Sequence, residues 1–264
     1  MAKENLHIIK IGGNVIDDRE SCDKFLNSFA GLTGLKVLIH GGGKVATAIG
    51  ERMGIQSNYV EGRRITDDET IDLVTMVYGG LVNKKIVGRL QSLGCNAIGV
   101  TGADAALIPA EKRKVAAIDY GWVGDVKGEQ INVDGWLRLL SAGWSPVVAP
   151  LTFDKEGHIL NTNADTIASA LAIALSDKFA TSLIFCFEKD GVLADVEDSH
   201  TVIRQITPER YANLKASGKL FSGIIPKIGN ALQAVESGVS EVVIGNSEKL
   251  GDLITGISGT KISK

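Results

Sequence analysis

The chain is poor in cysteine, and the three it has, Cys22, Cys95 and Cys186, lie far apart in apolar surroundings. An odd, scattered set builds neither a disulfide framework nor a thiolate metal site, and it reads as reduced core thiols. The four histidines, His7, His40, His158 and His200, are equally dispersed and offer no metal-ligand spacing. No run approaches the roughly 18 apolar residues that a membrane-spanning helix needs, and the N-terminus lacks a signal peptide's apolar core. Neither sign of charge dominates: 28 Lys and Arg against 31 Asp and Glu leave a net charge of −3, mixed along the sequence. No basic stripe or aromatic-basic interleaving points to nucleic acid as a partner. What these absences leave is the expectation of a soluble cytoplasmic protein without a resident metal.

What is present is glycine in telling places. Leu6, Ile8, Ile9 and Ile11 read as a buried strand, and so do Val37, Leu38 and Ile39. Each run ends in glycines: Lys10-Ile11-Gly12-Gly13 and His40-Gly41-Gly42-Gly43-Lys44. A glycine turn between strand and helix leaves backbone N–H groups bare, so an anion can approach where no Cβ intervenes. Glycines also serve simply to make tight turns. The pair of turns, flanked by Lys10 and Lys44, favours two neighbouring strand ends facing one anionic ligand.

The common nucleotide motifs do not fit. A Walker A loop fails, because Val45 stands where Ser or Thr should hold magnesium and Leu38 where the first glycine belongs. A dinucleotide fingerprint fits loosely through Gly41, Gly43 and Ala46. It needs an acidic residue ending the next strand about twenty residues on, and Asn58 to Thr66 is too polar for that strand.

At 264 residues, 27.9 kDa, 44% hydrophobic and mean hydropathy +0.13, the chain can bury a large core as one α/β unit or two lobes. Helical spacing follows the first turn through Phe25, Leu26, Phe29 and Leu32. Lys44 to Met53 is a second helix, and Asn58 to Thr66 a hairpin or exposed loop. Thr66 is a suitable N-cap for a helix opening on Asp67, Asp68 and Glu69. That helix runs to Leu93, with Gly79-Gly80 in its middle suggesting a kink or a close helix contact. Asn96–Val100, Pro146–Ala149, Ser182–Phe187 and Glu241–Ile244 read as strands; Asp134–Ala142, Pro208–Ser217, an apolar stretch opened by Asn161 to Asp165 and running through Ala174 and Leu175, and one through Ala231 and Val235 as helices. Ile108 to Gly128 reads as an irregular β meander, and Asp154 to Gly157 as a hairpin turn. Alternating strands and helices indicate an α/β fold, with a mainly parallel open sheet. The lobes divide softly at 1–175 and 176–264, since no Pro/Ser-rich linker separates them.

In such a sheet the strand ends at Lys10, His40, Thr101 and Phe187 gather at the carboxyl edge, where open α/β folds bind ligands. Asn161, Asn163, Asp165 and Lys227 join them from helix starts. The sequence has no G-x-S-x-G, no Cys with an evident His and no paired carboxylates in one segment. Lysines and backbone donors remain, a set suited to stabilising negative charge as it rearranges, and phosphoryl transfer needs that set. Each residue also has a plainer use: Arg64 as a solvated charge, Asn163 and Asp165 as a helix cap and its acidic first turn, Lys227 as a surface lysine.

The motifs Lys10-x-Gly12-Gly13, His40-Gly41-Gly42-Gly43, Gly62-x-Arg64-x-Thr66, Asn161-x-Asn163-Ala164-Asp165 and Gly223-x-x-x-Lys227 occur in this order in N-acetylglutamate kinases. The chain resembles that branch of the amino acid kinase superfamily over nearly its whole length. The resemblance implies a three-layer αβα sandwich and ATP-dependent phosphorylation of the side-chain carboxylate of N-acetyl-L-glutamate, on the route to arginine. It further implies Lys10 and Lys227 as the catalytic cations, with Asp165 between them. Gly12, Gly13 and Gly41 would cradle phosphate, and Gly42, Gly43, Arg64, Asn161 and Asn163 would bind the acyl amino acid. Glu188, Lys189, Gly191 and Gly223 would meet the nucleotide. By the same resemblance residues 1–175 bind the acyl glutamate and dimerise, and 176–264 bind ATP. Magnesium is implied with ATP, coordinated through phosphates and water or by the protein.

Two departures stand out. Relatives carry Thr/Ser-Asp-Val-x-Gly where this chain has Phe187-Glu188-Lys189-Asp190-Gly191, and often glycine where it has Ala105. The first strand starts by Leu6, leaving no room for the N-terminal helix of arginine-sensitive hexamers, so the resemblance implies a homodimer without arginine inhibition. The acyl group stays open between acetyl and succinyl, with Arg63 available to a second carboxylate, and N-acetyl-aminoadipate is a longer alternative. Outside the family, a non-catalytic amino-acid sensor would keep the pocket but needs no lysine at the bridging oxygen. A dinucleotide oxidoreductase would use the Gly41 turn.

Overall fold

The computed structural model describes residues 3–60, 62–115, 117–195, 198, 201–217 and 224–264. Among them, a central sheet is built from β1 (Asn5–Ile11), β2 (Leu35–His40), β3 (Ala97–Val100), β4 (Ser145–Val148), β5 (Ala180–Phe187), β6 (Gln205–Ile206), β7 (Glu241–Asn246) and β8 (Thr260–Ile262). The order across the sheet is β6-β8-β7-β5-β1-β2-β4-β3. Every neighbouring pair is parallel except β7 with β8.

The helices are α1 (Gly13–Asp17), α2 (Arg19–Gly31), α3 (Gly43–Met53), α4 (Asp68–Val74), α5 (Asn83–Ser92), α6 (Val133–Ser141), α7 (Ala164–Leu175), α8 (Pro208–Ala216), α9 (Ile225–Glu236) and α10 (Leu250–Thr255). Strand alternation sorts them into two layers. Leu6 and Ile8 of β1 pack with Trp136 of α6, Leu171 of α7 and Ile228 of α9. Ile9 and Ile11 point the other way, to Phe25 and Phe29 of α2, Leu73 of α4, Leu90 of α5 and Leu253 of α10. This is the expected three-layer αβα sandwich with a mainly parallel sheet. Each fully buried Leu, Ile or Phe in these layers contributes about 1.5–3 kcal/mol, which is why the central strands are almost continuously apolar.

Helix starts are set by short polar side chains. Asp18 accepts from the Ser21 amide at 2.8 Å to begin α2, and Asn163 accepts from the Asp165 and Thr166 amides at 2.9 and 3.1 Å to begin α7. For α4 the cap is Asp67, whose Oδ1 accepts from the Thr70 amide at 2.9 Å, not Thr66. The Thr66 hydroxyl is drawn inward instead, donating to the Arg64 carbonyl.

The long helical pattern is three segments in one rod. Between α4 and α5, Thr75–Val82 is a π-helix, whose wider turn absorbs Gly79-Gly80 without a break. A Cβ on Gly79 would stand 3.3 Å from Leu151 and 3.7 Å from Thr101, so its close contact is to segments leaving the sheet edge and not to another helix. Tyr59–Val60 and Arg63–Arg64 pair as the expected hairpin. The 108–128 region carries a short hairpin of Glu111–Lys112 with Gly124–Asp125. Just before it, Ala105 and Ala106 hold φ of 49° and 52°. The left-handed backbone at Ala105 explains why glycine suits that position.

Candidate active site

β1 and β2 run parallel with Ile11 opposite His40, so both glycine turns leave the same edge of the sheet. They touch: a Cβ on Gly41 would lie 3.4 Å from the Gly13 amide nitrogen. Gly42 holds φ 155°, and a Cβ there would meet the Tyr78 ring at 3.0 Å. Neither Gly12 before α1 nor Gly42 before α3 supplies a side-chain cap. Amides of these first turns are left for an outside acceptor.

Lys10, near the end of β1, is buried to 8% exposure and sets its Nζ 2.7 Å from Asp165 Oδ1. Strand parity explains the meeting, because Lys10 shares the face of Leu6 and Ile8, over which the first turn of α7 lies. Lys227, in the first turn of α9, reaches the same place. Its Nζ is 4.0 Å from the centre of the Phe187 ring, and Lys10 Nζ is 5.4 Å from it. Burial lowers the Lys227 pKa, Asp165 pulls it back up and Lys10 pushes it down. Asp165 thus pairs directly with Lys10 and acts on Lys227 through the field. Two cations beside one carboxylate leave net positive charge for an anion to fill.

Two cavities adjoin this cluster, one lined by Lys227 and the other by Asn163 and Ala164, just before Asp165. One, of about 340 Å³, is lined by Gly12, Gly13, Phe187, Glu188, Lys189, Gly191 and Lys227 among others. Its rim is tied by Asp190, which accepts from Lys249 Nζ at 2.9 Å and from Asn246 Nδ2 at 3.0 Å. The Lys249 contact, followed by Asn246, holds the Asp190 carboxyl below its ordinary range. Glu188 and Lys189 are exposed at the mouth. Gly191 sits where a Cβ would meet Thr260 Oγ1 at 2.7 Å, so it shapes the loop. Gly223, expected at this cavity, lies outside the described residues.

The second cavity, of about 200 Å³, is lined by Gly41, Gly42, Gly43, Arg64, Asn161 and Asn163, with Arg63 and Tyr78. Arg64 is no solvated charge: at 6% exposure it donates to the Gly43 carbonyl at 2.8 Å and to Thr47 Oγ1 at 3.0 Å, and also to Ser57 Oγ. Its guanidinium lies 4.9 Å from the Tyr59 ring centre. Asn161 donates to Thr66 Oγ1 at 3.0 Å, and Asn163 spends its side-chain oxygen on the α7 cap. A buried planar cation beside three glycines in the wall of a small polar pocket suits a ligand bearing carboxylate.

Some residues of the site were not legible in the sequence. Tyr78 reaches the glycine turn from the π-helix, Phe187 lies under both ammonium groups, and Thr47 and Ser57 orient Arg64. Tyr78 fits the apolar helical stripe and carried no separate signal. The Phe187 departure was visible, but its ring contacts needed coordinates.

The chain is also similar to known proteins. The sequence model of the Amino acid kinase family matches residues 5–246. An acetylglutamate kinase of Cytophaga hutchinsonii is 53% identical over 252 residues, covering 95% of each chain. One of Parabacteroides distasonis is 50% identical, covering 94% of this chain and 96% of its own. Among solved structures, the smu.665 protein of Streptococcus mutans superposes with a TM-score of 0.75 at 28% identity, covering 98% of both chains.

Proposed function

We infer the reaction from one premise: the chain belongs to the amino acid kinase family. It phosphorylates the side-chain carboxylate of N-acetyl-L-glutamate with ATP, a step of arginine biosynthesis. The observation that carries the reading is the cluster of Lys10, Asp165 and Lys227, with Lys227 lining the cavity we assign to the nucleotide and Asn163 and Ala164, just before Asp165, lining the one we assign to the acyl amino acid.

In the proposed mechanism Arg64 binds the α-carboxylate of the substrate, and Asn161 contacts its acyl amide. Asn163 shapes the same wall while capping α7. This aims the side-chain carboxylate at the glycine turns. One carboxylate oxygen attacks the γ-phosphorus of ATP; the bond from that phosphorus to the bridging oxygen breaks, and its electrons leave with ADP. The attacking group is already ionised, so no proton must be removed and no general base is required. Lys10 draws charge on the transferring group and Lys227 on the bridging oxygen, while Asp165 keeps Lys10 in place. Amides of Gly12, Gly13 and Gly41 to Gly43 cradle the oxygens, and losing one such fixed donor costs on the order of 3 kcal/mol of barrier.

Residues 176–264 supply the nucleotide side, through Glu188, Lys189 and Gly191 at the first cavity and Gly223 by resemblance, and residues 1–175 the acyl-amino-acid side. Magnesium fits this site as a companion of the phosphates. Asp165 is already paired with Lys10 at 2.7 Å, while Glu188, exposed at the cavity mouth, is a carboxylate that would approach the metal or its waters. When bound, magnesium neutralises charge on the phosphate oxygens. Among the described residues no helix is long and apolar enough to cross a membrane. We place the enzyme in the cytoplasm as a homodimer, which light scattering reads directly.

The test is a hydroxylamine trap with MgATP and, separately, N-acetylglutamate, N-succinylglutamate or N-acetyl-aminoadipate. A hydroxamate with N-acetylglutamate is expected. Turnover of the succinyl compound alone would transfer the reading to a substrate whose second carboxylate meets Arg63. No hydroxamate and no ADP with any of them would overturn the kinase reading. Lys10→Ala would then distinguish a sensor, whose ligand binding it would leave intact.

A further inference from the structure

His40 ends β2 fully buried, and Asn83 begins α5 at 1% exposure. Neither is in the lining of the two cavities described above, yet they meet directly behind the second glycine turn. Nδ1 of His40 is 2.6 Å from the Gly41 carbonyl oxygen, and Nε2 is 3.2 Å from Asn83 Nδ2. Asn83 Nδ2 also donates to the Val147 carbonyl at 2.9 Å, and its Oδ1 accepts from Lys84 Nζ at 3.2 Å. Lys84 donates in turn to the Gly99 carbonyl at 3.0 Å.

These contacts admit one arrangement of protons. A carbonyl only accepts, so His40 carries its proton on Nδ1. Lys84 only donates, so Asn83 must turn its oxygen to Lys84 and its NH2 to His40. Nε2 of His40 therefore accepts and the ring is neutral. Burial agrees, pushing the His40 pKa down to about 4 against the opposing effect of the Gly41 carbonyl. A Cβ on Gly99 would fall 1.9 Å from Asn83 Oδ1, so the strand beneath is cut away to admit this amide.

The π-helix brings the partners here. The Asn83 amide donates to the Tyr78 carbonyl five residues back, which stacks these two residues on one face. In an α-helix, residues five apart point about 140° from each other. Tyr78 packs on Gly42 while Asn83 meets His40, so one helix touches the turn at two points.

We propose that His40 and Asn83 are positioning residues for phosphoryl transfer, acting through the Gly41 carbonyl to aim the Gly42 N–H at the reacting oxygens. The C=O of Gly41 and the N–H of Gly42 belong to one planar trans unit and point in opposite directions. Fastening the carbonyl to the buried imidazole turns the amide away from His40, toward the cavity that Gly41 to Gly43 line. The proposal rests on the kinase reading given above for its chemistry, but its proton arrangement is independent of any activity.

The first experiment is nitrogen-15 NMR of histidine-labelled protein without ligand, assigned by comparison with His40→Asn. The expected signal is a neutral, Nδ1-protonated ring that does not titrate near neutral pH. An Nε2-protonated ring, or one titrating like free histidine, would overturn the proposal even if the enzyme is fully active. The second is kinetic. In His40→Asn the amide nitrogen takes the Nδ1 position and keeps its donor to Gly41, whereas in His40→Gln it takes the Nε2 position and does not. His40→Gln and Asn83→Leu are expected to lower kcat between about tenfold and a hundredfold with KM for ATP unchanged, and His40→Asn to recover most of the loss. Equal kcat in the Asn and Gln variants, with only thermal stability lost, would reduce the pair to structure and refute the positioning role. A wild type that phosphorylates no acyl amino acid would remove the kinase reading while leaving the tautomer result standing.

Discussion

Lys227 carries a pH dependence whose sign is fixed by its surroundings. Burial lowers its pKa, Asp165 opposes this, and Lys10 adds to the lowering. In the free enzyme the ammonium therefore loses its proton at a pH below the ordinary lysine value of about 10.4. If Lys227 must be charged to meet the bridging oxygen, kcat/KM for ATP is level near neutrality and falls as pH rises, with its limb below that value. Lys227→Arg, always protonated, is expected to lower kcat/KM overall but to abolish that limb. A wild-type profile that stays level until free lysine titrates would separate the alkaline limb from Lys227. Stability runs the opposite way. Between the lowered pKa and about 10.4 the unfolded chain binds the proton more tightly, so this residue's contribution to stability rises with pH there. The Phe187 ring, 4.0 Å from Lys227 Nζ, offsets part of the burial cost, since a half-buried cation over an aromatic face gains on the order of 1 kcal/mol.

At the scale of the element, α7 joins fold and site. Asn163 caps its first turn, and Asp165 in that same turn holds Lys10. Removing the cap in Asn163→Ala is expected to lower unfolding free energy by about 1 kcal/mol, read from urea unfolding. Asn163→Ser keeps a capping oxygen and is expected to recover most of that stability. If Asn163 also binds the acyl amino acid, Ser will still raise KM for it, because a hydroxyl is too short to fill the same place. A Ser variant with wild-type kinetics would leave the cap as its role. This double duty shows why part of the site was legible. Asn161 to Asp165 stood out because a helix start and a polar cluster coincide in sequence, and the glycine turns because each closes an apolar run. The π-helix was hidden, since its apolar residues satisfy the ordinary helical period and only backbone bonds reveal the wider turn. The cap at Asp67 was misplaced by one residue because Thr66 has equal capping chemistry. A tertiary demand, its bonds to Arg64 and Asn161, decided between them. The strands β6 and β8 were missed for a simpler reason: two or three residues carry no periodicity.

At the scale of the molecule, the two parts to which we assign the nucleotide and the acyl amino acid meet within one sheet. β1, from the 1–175 part, pairs with β5, from the 176–264 part, along its whole length from Asn5 with Ala180 to Ile11 with Cys186. The shared core continues on one face, where Leu6 and Ile8 pack among residues of α7 and α9. Lobes joined by a central strand pair and a common core should be functional sides of one cooperative unit. Differential scanning calorimetry is therefore expected to give a single transition whose calorimetric and van't Hoff enthalpies agree. Either N-acetylglutamate or a non-hydrolysable ATP analogue should then raise that one transition, each by about 2.7 kcal/mol at a hundred times its dissociation constant. Two transitions, with each ligand moving only one, would make 176–264 a separately folding domain. The distinction bears on catalysis. Lys10 and Lys227 come from opposite sides of the boundary and share the ring of Phe187, so their spacing holds only while both sides fold together.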